Sequence, residues 1–338
     1  MDNVGLYSIG LYIPEGRMTA KEIAEKTNGN WLEKDVIAKL GIAEKSIPGE
    51  LDGTQEMGVK AALDAIKSSK IDPKEIDVIL CIGEEWKEYP LTTSALYIQD
   101  KIGATNAWGI DVQNRCCTTV TALKMAKDML RADDEVDTIM VVGGYRNGDF
   151  VDYSDPAMSM MYNLSAGACA VILKKGMTKN LLLGTHIKAD GSFAHDAGVE
   201  IGGINNPLTK ENLHNAFKLR LMNPLHMKEG LGRVSMSNWY ECIDKALEKS
   251  SLTRLDIDYV CLLHFKKSMH DLMLKELGLT EEQSIYLSNY GHMGQIDQIL
   301  SLKLALDKGK VKDGSVVLMV AAGIGYVWSA NVIKWGGS

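Results

Sequence analysis

The chain has 338 residues, 46% of them hydrophobic and 24% charged, with a formal net charge of −7. That content suits one large core or two domains of about 150 residues each and excludes a disordered or fibrous chain. The acidic balance leaves no basic footprint for nucleic acid or an anionic membrane surface, and six cysteines without repeated CxxC spacing match neither a disulfide framework nor a zinc site, which points to the reducing cytoplasm.

Met1 to Pro14 reads as a strand and a turn, without the basic and long apolar regions of a signal peptide. Beyond it the chain is written twice. AALDAIKSSKIDPKEIDVILCIGEE (Ala61 to Glu85) is a helix, a break and a buried strand, and it recurs as KALEKSSLTRLDIDYVCLLHFKK (Lys245 to Lys267). A strand, polar turn and helix in Ala107 to Leu130 recurs in Ser284 to Gly309. The apolar, glycine-ended strand Val136 to Gly148 recurs as Asp313 to Gly325. One long irregular stretch, Lys188 to Met222, has the length of a lid or binding loop. The longest apolar run, Val316 to Ala322, is too short for a bilayer. Helices alternating with apolar strands predict an α/β fold with mostly parallel sheets. The duplication predicts two halves, residues 1–175 and 176–338, that share a central helical layer and give five layers in αβαβα order.

In open α/β sheets ligands sit beyond the carboxyl ends of strands, where helix N-termini present unpaired N–H groups. Four residues fall there. Cys116 lies between the strand Trp108 to Val112 and a helix starting near Thr118, a placement that activates a thiol. His264 ends the strand Tyr259 to Leu263, His292 sits in the turn NYGHMG, and Glu85 follows the strand Val78 to Ile82. If the halves are related by a pseudo-twofold axis, these ends meet as a thiol, two imidazoles and a carboxylate, the parts of covalent acyl transfer. Alternatives stay open at this point. Cys117 rivals Cys116, Glu85 reads equally as a solvated strand end, and Cys81, Cys169, Cys242 and Cys261 read as core. The glycines of AAGIGYVW form either a tight turn or a close approach to substrate, with the N–H groups of Cys116 and Gly325 as an oxyanion hole. No P-loop, dinucleotide fingerprint or metal-ligand spacing is present.

Read as longer segments, the chain resembles ketoacyl synthase III of the thiolase superfamily, with the HMG-CoA synthases nearby. TNGNWLEKDVIAKLGIAEKSI is similar to the family segment whose tryptophan stacks on the CoA adenine, here Trp31, with Lys39 in place of the usual arginine. DVQNRCCTTVTAL is similar to the nucleophile segment, with Cys116 in the acyl-accepting register. Arg115 replaces the usual preceding small residue. LSAGACAVIL, HIKADGS, MKEGLGRVSM and AAGIGYVWSANVIKW follow the family in turn, and Gly325 matches its oxyanion glycine. Two departures stand out. The family's His-Gln-Ala-Asn motif reads His264-Phe265-Lys266-Lys267, and His292 replaces an asparagine, giving a Cys-His-His set like that of elongating ketoacyl synthases.

The resemblance implies a thiolase-like fold and a ping-pong Claisen condensation in which Cys116 carries the acyl group. His264 and His292 would stabilise the enolate. No bound cofactor is implied, since thioesters of CoA or acyl carrier protein are the substrates. It also implies a homodimer, with Trp31, Lys39, Arg115, Phe265 and Lys267 as substrate-binding candidates. GEEWKEYP is similar to the HMG-CoA synthase segment that supplies a glutamate base, so an alternative is a non-decarboxylating or thiolytic acyl-CoA enzyme using Glu85. A third reading is a non-catalytic subunit of a complex, motivated by the altered HFKK segment.

Overall fold

The computed structural model describes residues 3–84 and 86–337. Nine strands, β1 (Val4–Tyr12), β2 (Val78–Cys81), β3 (Trp108–Asp111), β4 (Thr138–Tyr145), β5 (Gly167–Lys175), β6 (Lys179–Ala189), β7 (Tyr259–Leu262), β8 (Val316–Gly323) and β9 (Val327–Gly337), lie in the order β7-β8-β9-β6-β1-β5-β4-β2-β3. β1 and β6 share one residue pair, Gly5 with Leu181. The series therefore divides there into a five-stranded and a four-stranded sheet.

The principal helices are α1 (Thr54–Ser69), α2 (Ser94–Ile102), α3 (Thr118–Ala132), α4 (Pro224–Glu248), α5 (Lys267–Glu276) and α6 (Asp297–Asp307). α3 and α6 touch strands of both sheets, whereas α1 covers the outer face of the first and α4 the outer face of the second. Period-two alternation decides which side chain serves which layer. On β2, Val78 and Leu80 join α3 and α6 in the central core, while Ile79 and Cys81 turn outward to α1. On β7, Cys261 faces the centre and Val260 and Leu262 face α4. Sheets covered on both faces need strands apolar at every position, which is why these runs carry no polar alternation. The thiolase-like five-layered α/β expectation holds.

The expectation of mostly parallel sheets is corrected. Only β2–β3, β2–β4 and β7–β8 run parallel. β4–β5, β1–β5, β8–β9 and β6–β9 are antiparallel. The physical reason is the connections: β8 turns into β9 through residues 324–326 alone, and a connection that short cannot make the crossover a parallel pair needs. The irregular stretch is also shorter than its sequence suggests. β6 runs to Ala189, and Ala197–Val199 pairs with Leu219–Leu221 in a small ribbon. Arg220 anchors the ribbon on Asp152 at 2.8 Å and Asp155 at 3.4 Å. Among the described residues no helix is long and apolar enough to cross a membrane.

Candidate active site

Cys116 sits in a single 3₁₀ turn, Arg115–Cys117, wedged between β3 and the start of α3. The turn is pinned by side chains that compete for backbone groups. The Asn114 N–H donates to Thr118 Oγ1 at 2.8 Å, and that hydroxyl donates to the carbonyl of Arg115 at 2.5 Å. Arg115 is held at φ +52°, a left-handed conformation that costs a non-glycine residue on the order of 1–3 kcal/mol. The end of β8 closes on this turn. A Cβ on Gly323 would stand 3.0 Å from both the Cys116 nitrogen and Arg115 Cβ, so glycine permits the approach. Gly325, at φ +140°, has open space where a Cβ would project.

The sulfur of Cys116 lies 3.2 Å from His292 Nε2. On the other side of that ring, Nδ1 is 2.6 Å from Oδ2 of Asp297, the first residue of α6. Asp297 is fully buried, and both of its carboxylate oxygens accept hydrogen bonds. It also accepts the backbone N–H of His264 at 2.7 Å and of Met293 at 2.8 Å. One carboxylate thus ties both histidine segments together and fixes the His292 proton on Nδ1. Burial pulls the His292 pKa down, but the Asp297 carboxylate and the Cys116 sulfur outweigh it and hold the imidazolium well above its usual range. The arrangement places a cationic imidazolium against the Cys116 sulfur.

His264 occupies a different environment. Burial pushes its pKa down to about 4, so the ring is neutral at physiological pH. Asn163 Nδ2 meets its Nδ1 at 3.0 Å, and its Nε2 lies 3.5 Å from the carbonyl of Gly41. Burial also takes His270 down to about 4. These two shifts predict acid lability. A histidine whose folded pKa lies below its unfolded value gains its proton on unfolding, so its stabilising contribution is intact above about 6.5 and is lost as pH falls toward 4. The melting temperature should fall across that window, each ring contributing up to about 1.4 kcal/mol per pH unit. His270→Asn should flatten the slope. A wild-type profile level between pH 6.5 and 4 contradicts the assignment.

These groups open on a cavity of about 670 Å³ whose lining includes Cys116, His264 and His292. Trp86, Phe150 and Phe217 form an aromatic wall, with ring centroids 4.7 Å and 5.6 Å from Trp86. Phe265, stacked 5.4 Å from Trp239, lines it too, as do Met160 and Met161. The arrangement can host an apolar acyl chain beside the Cys116 thiol.

The cavity gathers Cys116, His264, His292, Arg115 and Phe265. Glu85 lies outside the described residues. Its neighbour Glu84 is buried, lines the cavity, and accepts from Arg115 Nη1 at 2.9 Å. Trp31 and Lys39 stand apart from the lining. Lys39 Nζ lies 5.4 Å over the Trp31 ring and pairs with Asp35 at 3.0 Å, while Trp31 meets Tyr162 edge-on at 6.0 Å. Lys267 turns away to Asp271 and to Glu281 at 3.1 Å, and Lys266 is the lysine in the lining. Cys117 is fully buried, its Sγ 3.5 Å from the carbonyl of Val327, and burial drives its pKa far up, which removes it as a rival nucleophile. Sequence reasoning missed Asp297 and Asn163. An aspartate opening a helix looks like an ordinary N-terminal charge, and Asn163 carries no local signal at all.

Comparison with known proteins now bears on this geometry. A family model described as 3-oxoacyl-[acyl-carrier-protein] synthase III matches residues 110–191, and the C-terminal model of the same synthase matches residues 247–335. The chain is 29% identical to the beta-ketoacyl-[acyl-carrier-protein] synthase III of Azobacteroides pseudotrichonymphae, covering 97% of this chain and 96% of that protein. It is 27% identical to that of Clostridium acetobutylicum, covering 99% of each. The crystal structure of 3-oxoacyl-[acyl-carrier-protein] synthase III from Aquifex aeolicus superposes with a TM-score of 0.84 at 20% identity, covering 99% of this chain and 100% of the other. Xanthomonas campestris OleA with bound lauric acid and lauroyl-CoA superposes at 0.81 with 15% identity, covering 98% and 99%.

Proposed function

The chain belongs to the 3-oxoacyl-[acyl-carrier-protein] synthase III family, and from that premise we propose that it is an acyltransferase joining two acyl thioesters through an acyl-Cys116 intermediate. The observation that carries this reading is the chain of contacts from Cys116 through His292 to buried Asp297 at an apolar cavity. In the first step the Cys116 thiolate attacks the carbonyl of an acyl-CoA. The C–S bond to Cys116 forms, the carrier thiolate leaves, and the His292 imidazolium supplies its proton. In the second step a malonyl-type donor loses CO₂, and its carbanion attacks the acyl carbonyl and expels Cys116 as thiolate. Neutral His264 donates to the enolate oxygen, and the N–H groups of Cys116 and Gly325 take the tetrahedral oxyanion. Trp31 and Lys39 receive the carrier's adenine end, Arg115 and Phe265 border the acyl chain, and Lys266 meets an acidic carrier, while Lys267 reaches it only by leaving Asp271 and Glu281. Purified protein mixed with isotope-labelled acyl-CoA should carry label on the Cys116 peptide by mass spectrometry; no adduct across donors of several chain lengths overturns the reading.

A second reading, non-decarboxylating condensation, draws support from Glu84. Its buried carboxylate lines the cavity and is tethered by the residue preceding the nucleophile, where a base could remove an α-proton from an acetyl-type donor. Glu84→Gln decides between the two. A loss of about 10²-fold with an acetyl-type donor and little change with a malonyl-type donor selects the second reading; equal sensitivity rejects it.

We also take residues 1–175 and 176–338 as the two halves of the fold, and the protein as a cytoplasmic homodimer with acyl carrier protein as its second substrate's carrier. Support for the dimer comes from β3, which among the described residues pairs only with β2 and leaves Trp108 49% and Ile110 38% exposed at the sheet edge. Such edges invite pairing with a second copy. Ile110→Lys should convert the dimer to a monomer in sedimentation velocity, and an unchanged sedimentation coefficient excludes this edge.

A further inference from the structure

Between β4 and β5 the chain crosses the site at Tyr162-Asn163-Leu164, and this tripeptide reaches both histidines. The carbonyl of Asn163 accepts the His292 N–H at 2.8 Å, and the Ser165 N–H donates back to the His292 carbonyl at 2.9 Å. The carbonyls on either side of Asn163 are clamped by one group. Lys45, fully buried, donates from Nζ to Tyr162 O at 2.7 Å, to Leu164 O at 2.5 Å and to the Tyr153 hydroxyl at 2.6 Å. Burial pulls the Lys45 pKa down to about 7, and its Nζ, placed on three fixed oxygens, ties the segment down. The Asn163 side chain projects from this segment to His264, with Nδ2 3.0 Å from Nδ1. Asn163 is 7% exposed and itself lines the cavity.

An amide nitrogen can only donate. Against it, His264 Nδ1 must be the bare, accepting nitrogen, and the single proton of the neutral ring then belongs to Nε2. That proton has only a long contact in the free protein, 3.5 Å to the Gly41 carbonyl, so it remains available to a stronger acceptor. The neighbouring ring has the opposite kind of partner: the Asp297 carboxylate accepts from His292 Nδ1 and turns Nε2 toward the sulfur. Two rings in one cavity are thereby set differently by two buried partners, an amide donor at His264 and a carboxylate acceptor at His292.

We propose that Asn163, clamped by Lys45, is a positioning residue that fixes His264 as its Nε2–H tautomer and so makes it a hydrogen-bond donor to the developing enolate oxygen, while His292 serves the thiol. The assignment rests on the condensing role given to the site above. The unpaired, buried Oδ1 of Asn163 is the remaining acceptor of this amide, and a donor on the bound substrate would satisfy it.

The test is the protonation pattern of the rings in the full-length protein. In ¹⁵N-histidine-labelled wild type, the His264 signals, identified by their loss in His264→Asn, should show a protonated Nε2 and an unprotonated Nδ1 at pH 7. A protonated Nδ1 overturns the proposal whatever the variants do. Asn163→Asp replaces the donor with an acceptor and should move the proton to Nδ1, with the condensation rate falling about 10²-fold or more. Asn163→Gln, which keeps the donor, should recover part of that loss, and Lys45→Met should give a mixture of tautomers. If Asn163→Asp condenses at the wild-type rate with the proton on Nδ1, the tautomer is irrelevant and the proposal fails. Failure of the underlying reading would look different: no acyl group on Cys116 in wild type, with the tautomer as expected.

Discussion

Cys116→Ala should eliminate the acylated protein and lower condensation by a factor on the order of 10⁴ or more, since removing a nucleophile leaves only the positioning and oxyanion contributions. The expectation is sharp because the other cysteines cannot substitute. Cys81, Cys117, Cys169, Cys242 and Cys261 are all buried in the layered core, and burial raises each thiol, Cys81 to about 12. Cys116 alone among the described cysteines lines the cavity and meets a histidine that carries its own carboxylate. Cys116→Ser should be nearly as inactive, because a hydroxyl of that size fits the turn but does not ionise beside His292. Intact-mass measurement after exposure to acyl-CoA, together with product analysis, checks both. Substantial condensation by the alanine variant would remove the covalent intermediate altogether.

Asp297→Asn should be the second most damaging change. The carboxylate accepts three hydrogen bonds at once, from the His292 ring and from the backbones of His264 and Met293. An amide has a single oxygen, so at least one of these donors must face an N–H₂ group. If the ring loses, the His292 imidazolium is left without its carboxylate partner, and the proton it supplies in the first step is no longer held. Acylation should fall by about 10²–10⁴-fold. The pH profile separates this from simple disruption. Asp297 is the largest influence raising the His292 pKa against burial, so without it the imidazolium deprotonates at lower pH. The alkaline limb of the acylation rate, set by loss of the His292 proton, should move to lower pH. Retention of its position alongside a reduced rate would assign Asp297 a purely structural role. Melting temperature should also fall, because a buried donor left facing another donor costs roughly 1–3 kcal/mol.

The departures from family pattern acquire physical content in this light. His292 in place of an asparagine comes with Asp297 five residues on, so the substitution installs a base and its orienting carboxylate together, in one turn at the head of α6. Arg115 in place of a small residue comes with Glu84, which takes its charge inside the cavity. Lys266 and Lys267, adjacent in sequence, face opposite fates because α5 begins between them: one lines the cavity and the other is absorbed by Asp271 and Glu281.

The duplicated helix-strand segments, the all-apolar strands and the position of Cys116 ahead of α3 were legible in the sequence, because each is a local matter. A strand buried on both faces shows it in its own residues, and a helix start shows itself in the residues beside it. Strand direction was not legible. It depends on whether a connection has room for a crossover, and the three-residue turn from β8 to β9 looks in sequence like any glycine-rich loop. The nucleophile and both histidines could be named from their places at strand ends. Their division of labour could not, since it is set by Asp297 and Asn163, which lie 5 residues from His292 and 101 residues from His264. Proton position on an imidazole is decided by whichever partner reaches each nitrogen. For His264 that contact exists only once the folded sheets and their shared helices have brought segments 101 residues apart to 3.0 Å.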